Sequence, residues 1–219
     1  MNRLEKMDDF FAARIDGYDE HMRTNIEGAS GFYAYTASLL PGAAGSRILD
    51  LGCGTGLELE EYFALNPCAK VTGIDLSGEM LNALKAKFPE KELTLIQASY
   101  FDTPLGEKQY DAAVSVESLH HFTAEMKASL YKKLYSALKE NGVFVLTDYF
   151  AESEDMEKEY FQNLAELKKE QGLPDHEFYH YDTPLLVEHE MDILRRAGFR
   201  EVRVMEQWGE STFTVLAMV

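Results

Sequence analysis

Only two cysteines occur in the 219 residues, acidic side chains outnumber basic ones 38 to 21, and no apolar run approaches the roughly 18 residues of a membrane span. Each scarcity excludes something. Two cysteines cannot make a disulfide framework or a cysteine metal set, and Cys53 and Cys68 read as small buried residues of a protein kept in a reducing compartment. The start, MNRLEKMDDFF, lacks the apolar core of a signal peptide, so a cytoplasmic protein without membrane contact is expected. A formal net charge of -17 repels polyphosphates, which makes nucleic acid an unlikely partner. The doublets Lys132-Lys133, Lys168-Lys169 and Arg195-Arg196 fall in helical patterns and read as solvated faces. Neither a monomer nor a homodimer is excluded.

What is present centres on residues 46–56. Ile48, Leu49 and Leu51 form the short apolar run of an interior parallel strand, and Gly52, Gly54 and Gly56 follow it. Glycines there let the backbone turn and approach a ligand without β-carbons in the way. A helix over 57–65 continues, so an adenosyl group can lie near its first amides, at the carboxyl end of the strand. The second strand, 70–75, ends in Asp75, 23 residues beyond Gly52, where an acid can accept hydrogen bonds from ribose hydroxyls. A dinucleotide fingerprint starting at Gly52 needs a glycine at position 57, where this chain has Leu57.

Ser77 is placed to cap a helix carrying Met80, Leu81, Leu84 and Phe88. Strands are expected over 93–97, 111–116 and 143–147, with a helix over 123–139 stopped by Asn141-Gly142. Upstream, Leu4, Met7, Phe11, Ile15, Tyr18 and Met22 predict a helix interrupted or ended near Gly17, and 28–40 a second one. Downstream, a helix over 187–197 precedes two strands, 199–208 and 212–219, joined by Gly209-Glu210 as an antiparallel hairpin. Strands alternating with helices imply a parallel sheet covered on both faces.

These residues resemble the class I S-adenosylmethionine-dependent methyltransferases. Asp50 to Gly56 match that family's cofactor loop and Asp75 its ribose acid. Tyr110-Asp111 match the opening of its fourth strand, Leu138 to Phe144 the approach to its fifth, and Ala197-Gly198-Phe199 the entry to its sixth. The resemblance implies an α/β fold: a Rossmann-like, seven-stranded, mostly parallel sheet with helices on both faces and a C-terminal antiparallel hairpin. It implies a single domain over 1–219, with a helical lid (1–45), a cofactor core (46–150), a variable cap (151–182) and a final helix and hairpin (183–219). S-adenosyl-L-methionine is the cofactor it implies, and a small molecule the acceptor. Gly52 and Gly54 would approach the methionine part, Asp50 would organise its amino group, Asp75 would take the ribose, and Leu76 and Tyr100 would sandwich the adenine. Ser99 stands where the family often has an acid for the adenine amino group.

Methyl transfer is an in-line displacement governed by alignment, so a base is needed only where the acceptor carries a proton. His120 and His121, at the tip of the fourth strand, are the catalytic candidates, against the plainer reading that they hydrogen-bond in the core. Glu117 and, from the lid, Tyr18 are expected at the cofactor, while Tyr149 and His21 are weaker site residues. His176-Glu177-Phe178-Tyr179-His180 fits the zinc-protease pattern H-E-x-x-H, but Pro174 and Pro184 leave it no helix, so a loop at the pocket mouth and no metal are expected. The cap holds ten acids and three lysines, favouring a neutral or cationic acceptor over a phosphorylated one. Two other functions fit the same residues: an enzyme that modifies S-adenosylmethionine, as carboxy-S-adenosylmethionine synthases do, and a cofactor sensor without turnover.

Overall fold

The computed structural model describes residues 3–219. Three short helices, α1 (Met7–Ala12), α2 (Tyr18–Asn25) and α3 (Ala29–Ser38), precede β1 (Arg47–Leu51), α4 (Leu57–Leu65), β2 (Lys70–Asp75), α5 (Gly78–Lys87) and β3 (Glu92–Gln97). Then come β4 (Tyr110–Val116), a 3-10 turn (Leu119–His121), α6 (Ala124–Ala137) and β5 (Leu138–Tyr149). The chain ends with α7 (Glu154–Gln171), α8 (Val187–Ala197), β6 (Glu201–Trp208) and β7 (Thr212–Met218).

All seven strands form one sheet in the order β3-β2-β1-β4-β5-β7-β6. β1 to β5 pair in parallel, while β7 runs antiparallel to both β5 and β6. Alternation along the central strands divides the core in two. Leu49 and Leu51 face a layer with Leu130, Tyr131 and Leu134 of α6 and Leu194 of α8. Ile48, Ala112 and Val114 face the opposite layer with Phe32, Leu59 and Leu84, from α3, α4 and α5. Burial on both faces explains why these strands read as continuous apolar runs. The strand order reverses between β1 and β4, which opens a crevice at their carboxyl ends.

Several boundaries differ from the sequence reading. The interruption expected near Gly17 is present, dividing the first helix into α1 and α2 with Gly17 at φ 84° ahead of α2, but α1 already ends at Ala12. α6 ends at Ala137, before Asn141-Gly142, because Leu138 already pairs with Tyr110 of β4. Register then shifts before Val143 pairs with Ala112, and the left-handed Asn141 (φ 63°) sits in that excursion, inside β5. Cys53 is buried as expected, but Cys68 is exposed, since it lies in the turn from α4 to β2 with no layer above it. The cap forms as α7, yet none of its residues is fully buried. Ser77 does cap α5, its Oγ accepting from Met80 N at 3.3 Å. Ser77→Ala is expected to destabilise the protein by about 1 kcal/mol in urea unfolding.

Candidate active site

Two cavities meet at the crevice. The narrower one encloses about 590 Å³ of empty space, open mouth included, and the wider one about 1700 Å³. Phe11, Tyr18, Glu117 and His121 line both.

The narrow cavity is built on the glycine loop. Gly52, Gly54 and Gly56 hold φ of 73°, 47° and 73°, left-handed values that glycine adopts without cost. A β-carbon at Gly52 would sit 2.0 Å from Ser118 Oγ and 2.6 Å from Ser118 Cβ, so glycine is required there by space as well. Asp75 ends β2 and braces the loop, its Oδ2 accepting from Gly54 N at 2.8 Å and its Oδ1 from Ser77 N at 2.9 Å. Burial pushes its carboxyl above the ordinary value, and those amides pull against the rise. Leu76, Ser99 and Tyr100 line the same cavity, with the Tyr100 hydroxyl 3.2 Å from Ser118 Oγ. Ser99 Oγ accepts from Phe101 N at 3.1 Å, a local turn bond that leaves its hydroxyl proton free to donate.

Of the residues expected at the cofactor, Asp50 alone lies outside the lining. It is buried behind the loop, and neither carboxyl oxygen has a donor partner. Glu58, on the first turn of α4, is buried beside it. Burial and then the Glu58 charge raise the Asp50 pKa well above its ordinary value. Glu58 gave no signal in sequence, since it falls in a run that reads simply as a helix start.

The wide cavity gathers His120, His121, His180, Tyr149, Asp182 and, at its rim, the exposed His21. Leu119 N donates to Asp148 Oδ2 at 2.8 Å, and His120 Nδ1 meets Asp148 Oδ1 at 2.5 Å, so a carboxylate at the tip of β5 fixes the 3-10 turn. Burial opposes charge on His120, but Asp148 and then Asp182 and Glu117 outweigh it and hold the imidazole up to about 9. His121 goes the other way: burial and the charge on His120 lower its pKa, against the pull of Asp182. At neutral pH His120 is therefore charged and His121 neutral. Burial, with Asp148 and Asp182, pushes Glu117 up to about 8, and its Oε1 has no partner. Its backbone is left-handed at φ 48°, a strain for a side chain of this size.

The roof is two segments laced together. Lys6 bridges Tyr179, Met7 N donates to Phe178 O at 3.0 Å, and His180 N donates to Glu5 O at 3.0 Å. The Phe10 and His180 rings stack with centroids 3.4 Å apart. From α2, Asp19 accepts from Thr55 Oγ1 at 2.5 Å and from Lys87 Nζ at 2.6 Å, tying the lid to the glycine loop. The H-E-x-x-H segment is non-helical, and Glu177 is engaged by Lys6 and the Tyr179 hydroxyl. Its residues therefore do not form a protease zinc helix.

Residues 48–142 match a family model described as a methyltransferase domain. An uncharacterized methyltransferase of Synechocystis is 31% identical over 57% of this chain, which spans 57% of that protein's length. The carboxy-S-adenosyl-L-methionine synthase of Campylobacter concisus is 26% identical, with 92% of this chain and 86% of that one covered. Among solved structures, a putative O-methyltransferase from Nostoc punctiforme superposes with a TM-score of 0.71 at 18% identity, over 99% of this chain and 62% of that one. Human N-acetylserotonin methyltransferase, solved in complex with S-adenosylmethionine, gives 0.65 at 21% identity, over 96% and 56%. At those identities the solved structures establish the fold.

Proposed function

The chain belongs to the class I S-adenosylmethionine-dependent methyltransferases, and from that premise we propose that it moves a methyl group from S-adenosylmethionine to a small-molecule acceptor seated in the wide cavity. The observation that carries this reading is the junction: a glycine-walled slot ending in Asp75 opens, past Glu117 and His121, into a second, larger cavity. The residues present fit an adenosyl ligand. A β-carbon on Gly54 would meet nothing within 4 Å, Asp75 offers a carboxylate at the tip of β2, and the buried carboxyls of Asp50 and Glu58 lack a cationic partner.

When bound, S-adenosylmethionine supplies an electrophilic methyl group on a sulfonium centre. We assign the roles of this chain's residues as follows. Gly52 and Gly54 admit the methionine part, with Asp50 behind them balancing its ammonium charge. Asp75 accepts from the ribose hydroxyls, Leu76 and Tyr100 hold the adenine, and Ser99 donates to its edge. Tyr18 and Glu117 close the slot toward the acceptor. His121 and His120 dispose of the proton of an acceptor that carries one, His121 at the junction and His120 held behind it by Asp148. Residues 3–45 serve as the lid and 151–182 as the cap of this one domain.

A second reading, the synthesis of a carboxylated S-adenosylmethionine, is favoured by the similarity to the Campylobacter protein along 92% of this chain. The charge in the slot works against it. Its lining holds the carboxyls of Asp75 and Glu117 and, among the described residues, neither lysine nor arginine to receive an added carboxylate.

Calorimetric titration of S-adenosylhomocysteine, and separately of NAD, into the wild type and Asp75→Ala tests the cofactor. S-adenosylhomocysteine alone should bind, and more weakly by about 10- to 100-fold in the variant, the loss of two hydrogen bonds to a charged acceptor. Binding of NAD instead, or equal binding to the variant, would refute the reading. Mass spectrometry of turnover mixtures separates a methylated acceptor from a carboxylated cofactor.

A further inference from the structure

Four of the chain's six histidines border the wide cavity, and two of them, His120 and His121, stand beside the carboxylate of Asp182. We propose that His120, His121 and Asp182 bind one divalent transition-metal ion of the zinc type at the wall of that cavity. The inference rests on the proposed acceptor cavity for its purpose, but metal binding is measured apart from turnover.

The ligand atoms are already gathered. His120, His121 and Asp182 each present one ligand atom within 4.8 Å of the others. Asp182 Oδ1 stands 3.3 Å from His121 Nδ1 and 3.6 Å from His120 Nε2. Ligands at about 2.0–2.1 Å from a tetrahedral ion stand about 3.3–3.4 Å apart, a spacing that the two separations from Asp182 already match to within a few tenths of an ångström. Two imidazoles and one carboxylate suit zinc and its neighbours better than the all-oxygen preference of magnesium or calcium. His120, His121 and Asp182 all line the wide cavity, from which a fourth ligand would come.

The surroundings are those of a metal site as well. His120 uses Nδ1 on Asp148, and Asp148 is itself held by Leu119 N, which leaves Nε2 for the ion. A carboxylate behind a ligating histidine fixes its tautomer and orientation. The segment that carries Asp182 is pinned to the same turn, since Thr183 N donates to His120 O at 2.8 Å. Both halves of the site are thus joined by backbone before any ion arrives. A bound ion would release the Nε2 proton of His120 to solvent, take His121 Nδ1 from its 3.2 Å contact with Tyr181 O with the single ring proton of His121 on Nε2, and draw an acceptor heteroatom into its open position, making that atom's proton easier to lose.

The test is calorimetric titration of ZnCl₂ into protein stripped with EDTA, with circular dichroism confirming the fold of each variant. One ion per chain should bind with a dissociation constant at or below about 1 µM. Asp148→Asn should weaken binding about 10- to 100-fold, Asp182→Ala should weaken it further, and His176→Ala with His189→Ala should leave it unchanged. Should a variant fail to fold, Co²⁺ added to the wild type gives a second readout, expected as intense visible bands of a four-coordinate nitrogen and oxygen site. No stoichiometric zinc binding, zinc affinity unchanged in folded Asp182→Ala, or only the weak bands of octahedral cobalt would overturn the proposal. S-adenosylhomocysteine titrated into the same stripped protein separates the outcomes: if it binds and zinc does not, the metal site fails while the methyltransferase reading stands.

Discussion

His121→Ala should lower turnover of an acceptor found by product screening by about 10²- to 10⁴-fold, the range associated with losing a group that handles the proton in the transition state. Its affinity for S-adenosylhomocysteine should stay within about threefold of the wild type. The asymmetry follows from position. His121 borders both cavities, but the polar contacts proposed for the cofactor come from the glycine loop and Asp75. His120→Ala should act differently, because its imidazole also satisfies buried Asp148, whose carboxyl the paired His120 holds below its ordinary value against burial. Removing it leaves that acid in the core with only backbone donors, so stability falls together with turnover. Single-turnover rates and urea unfolding on both variants separate the effects. A His121→Ala rate within about threefold of the wild type would remove this residue from the chemistry.

Much of the cofactor side was legible because its signals are local. A strand, three glycines and an acid at the next strand tip stand in fixed order along the chain, and the structure brings Asp75 and Gly54 together through one hydrogen bond. The acceptor side was not legible in that way. Asp148 follows the same strand-tip logic as Asp75, yet nothing within its own stretch shows that the turn after β4 needs a carboxylate from β5. Asp182 read only as one more charge of an acidic cap, because its partners lie 61 and 62 residues earlier along the chain and are brought to it by the tether between Thr183 and His120. His180 was noticed for a motif it does not serve, while its ring stacks on Phe10 of the lid. The break between α1 and α2 was legible at Gly17, whereas the start of α1 at Met7 was not: residues 5–7 pair with the loop around Tyr179, a tertiary demand that periodicity does not express.

Lys127 is the largest such surprise for stability. It sits on α6 beside apolar positions yet is 2% exposed, and its ammonium meets Glu190 of α8, 0% exposed, at 2.6 Å. The Tyr131 hydroxyl donates to the other oxygen of that carboxylate. Lys127→Ala removes the counter-charge and leaves Glu190 buried with a single donor, so unfolding in urea should show a loss of about 3–5 kcal/mol. Two desolvated charges gain little beyond what their pairing restores, so Lys127→Met combined with Glu190→Leu should be neutral or more stable by about 1–4 kcal/mol. A single variant within about 1 kcal/mol of the wild type would show that water reaches the pair. The double variant also bears on the site. α6 begins three residues beyond His121, and α8 begins five residues beyond Asp182, so the pair clips together the two helices whose approaches carry the proposed ligands. If the clip acts only through packing, the apolar pair will preserve zinc affinity, whereas Lys127→Ala will weaken it by letting the two approaches separate.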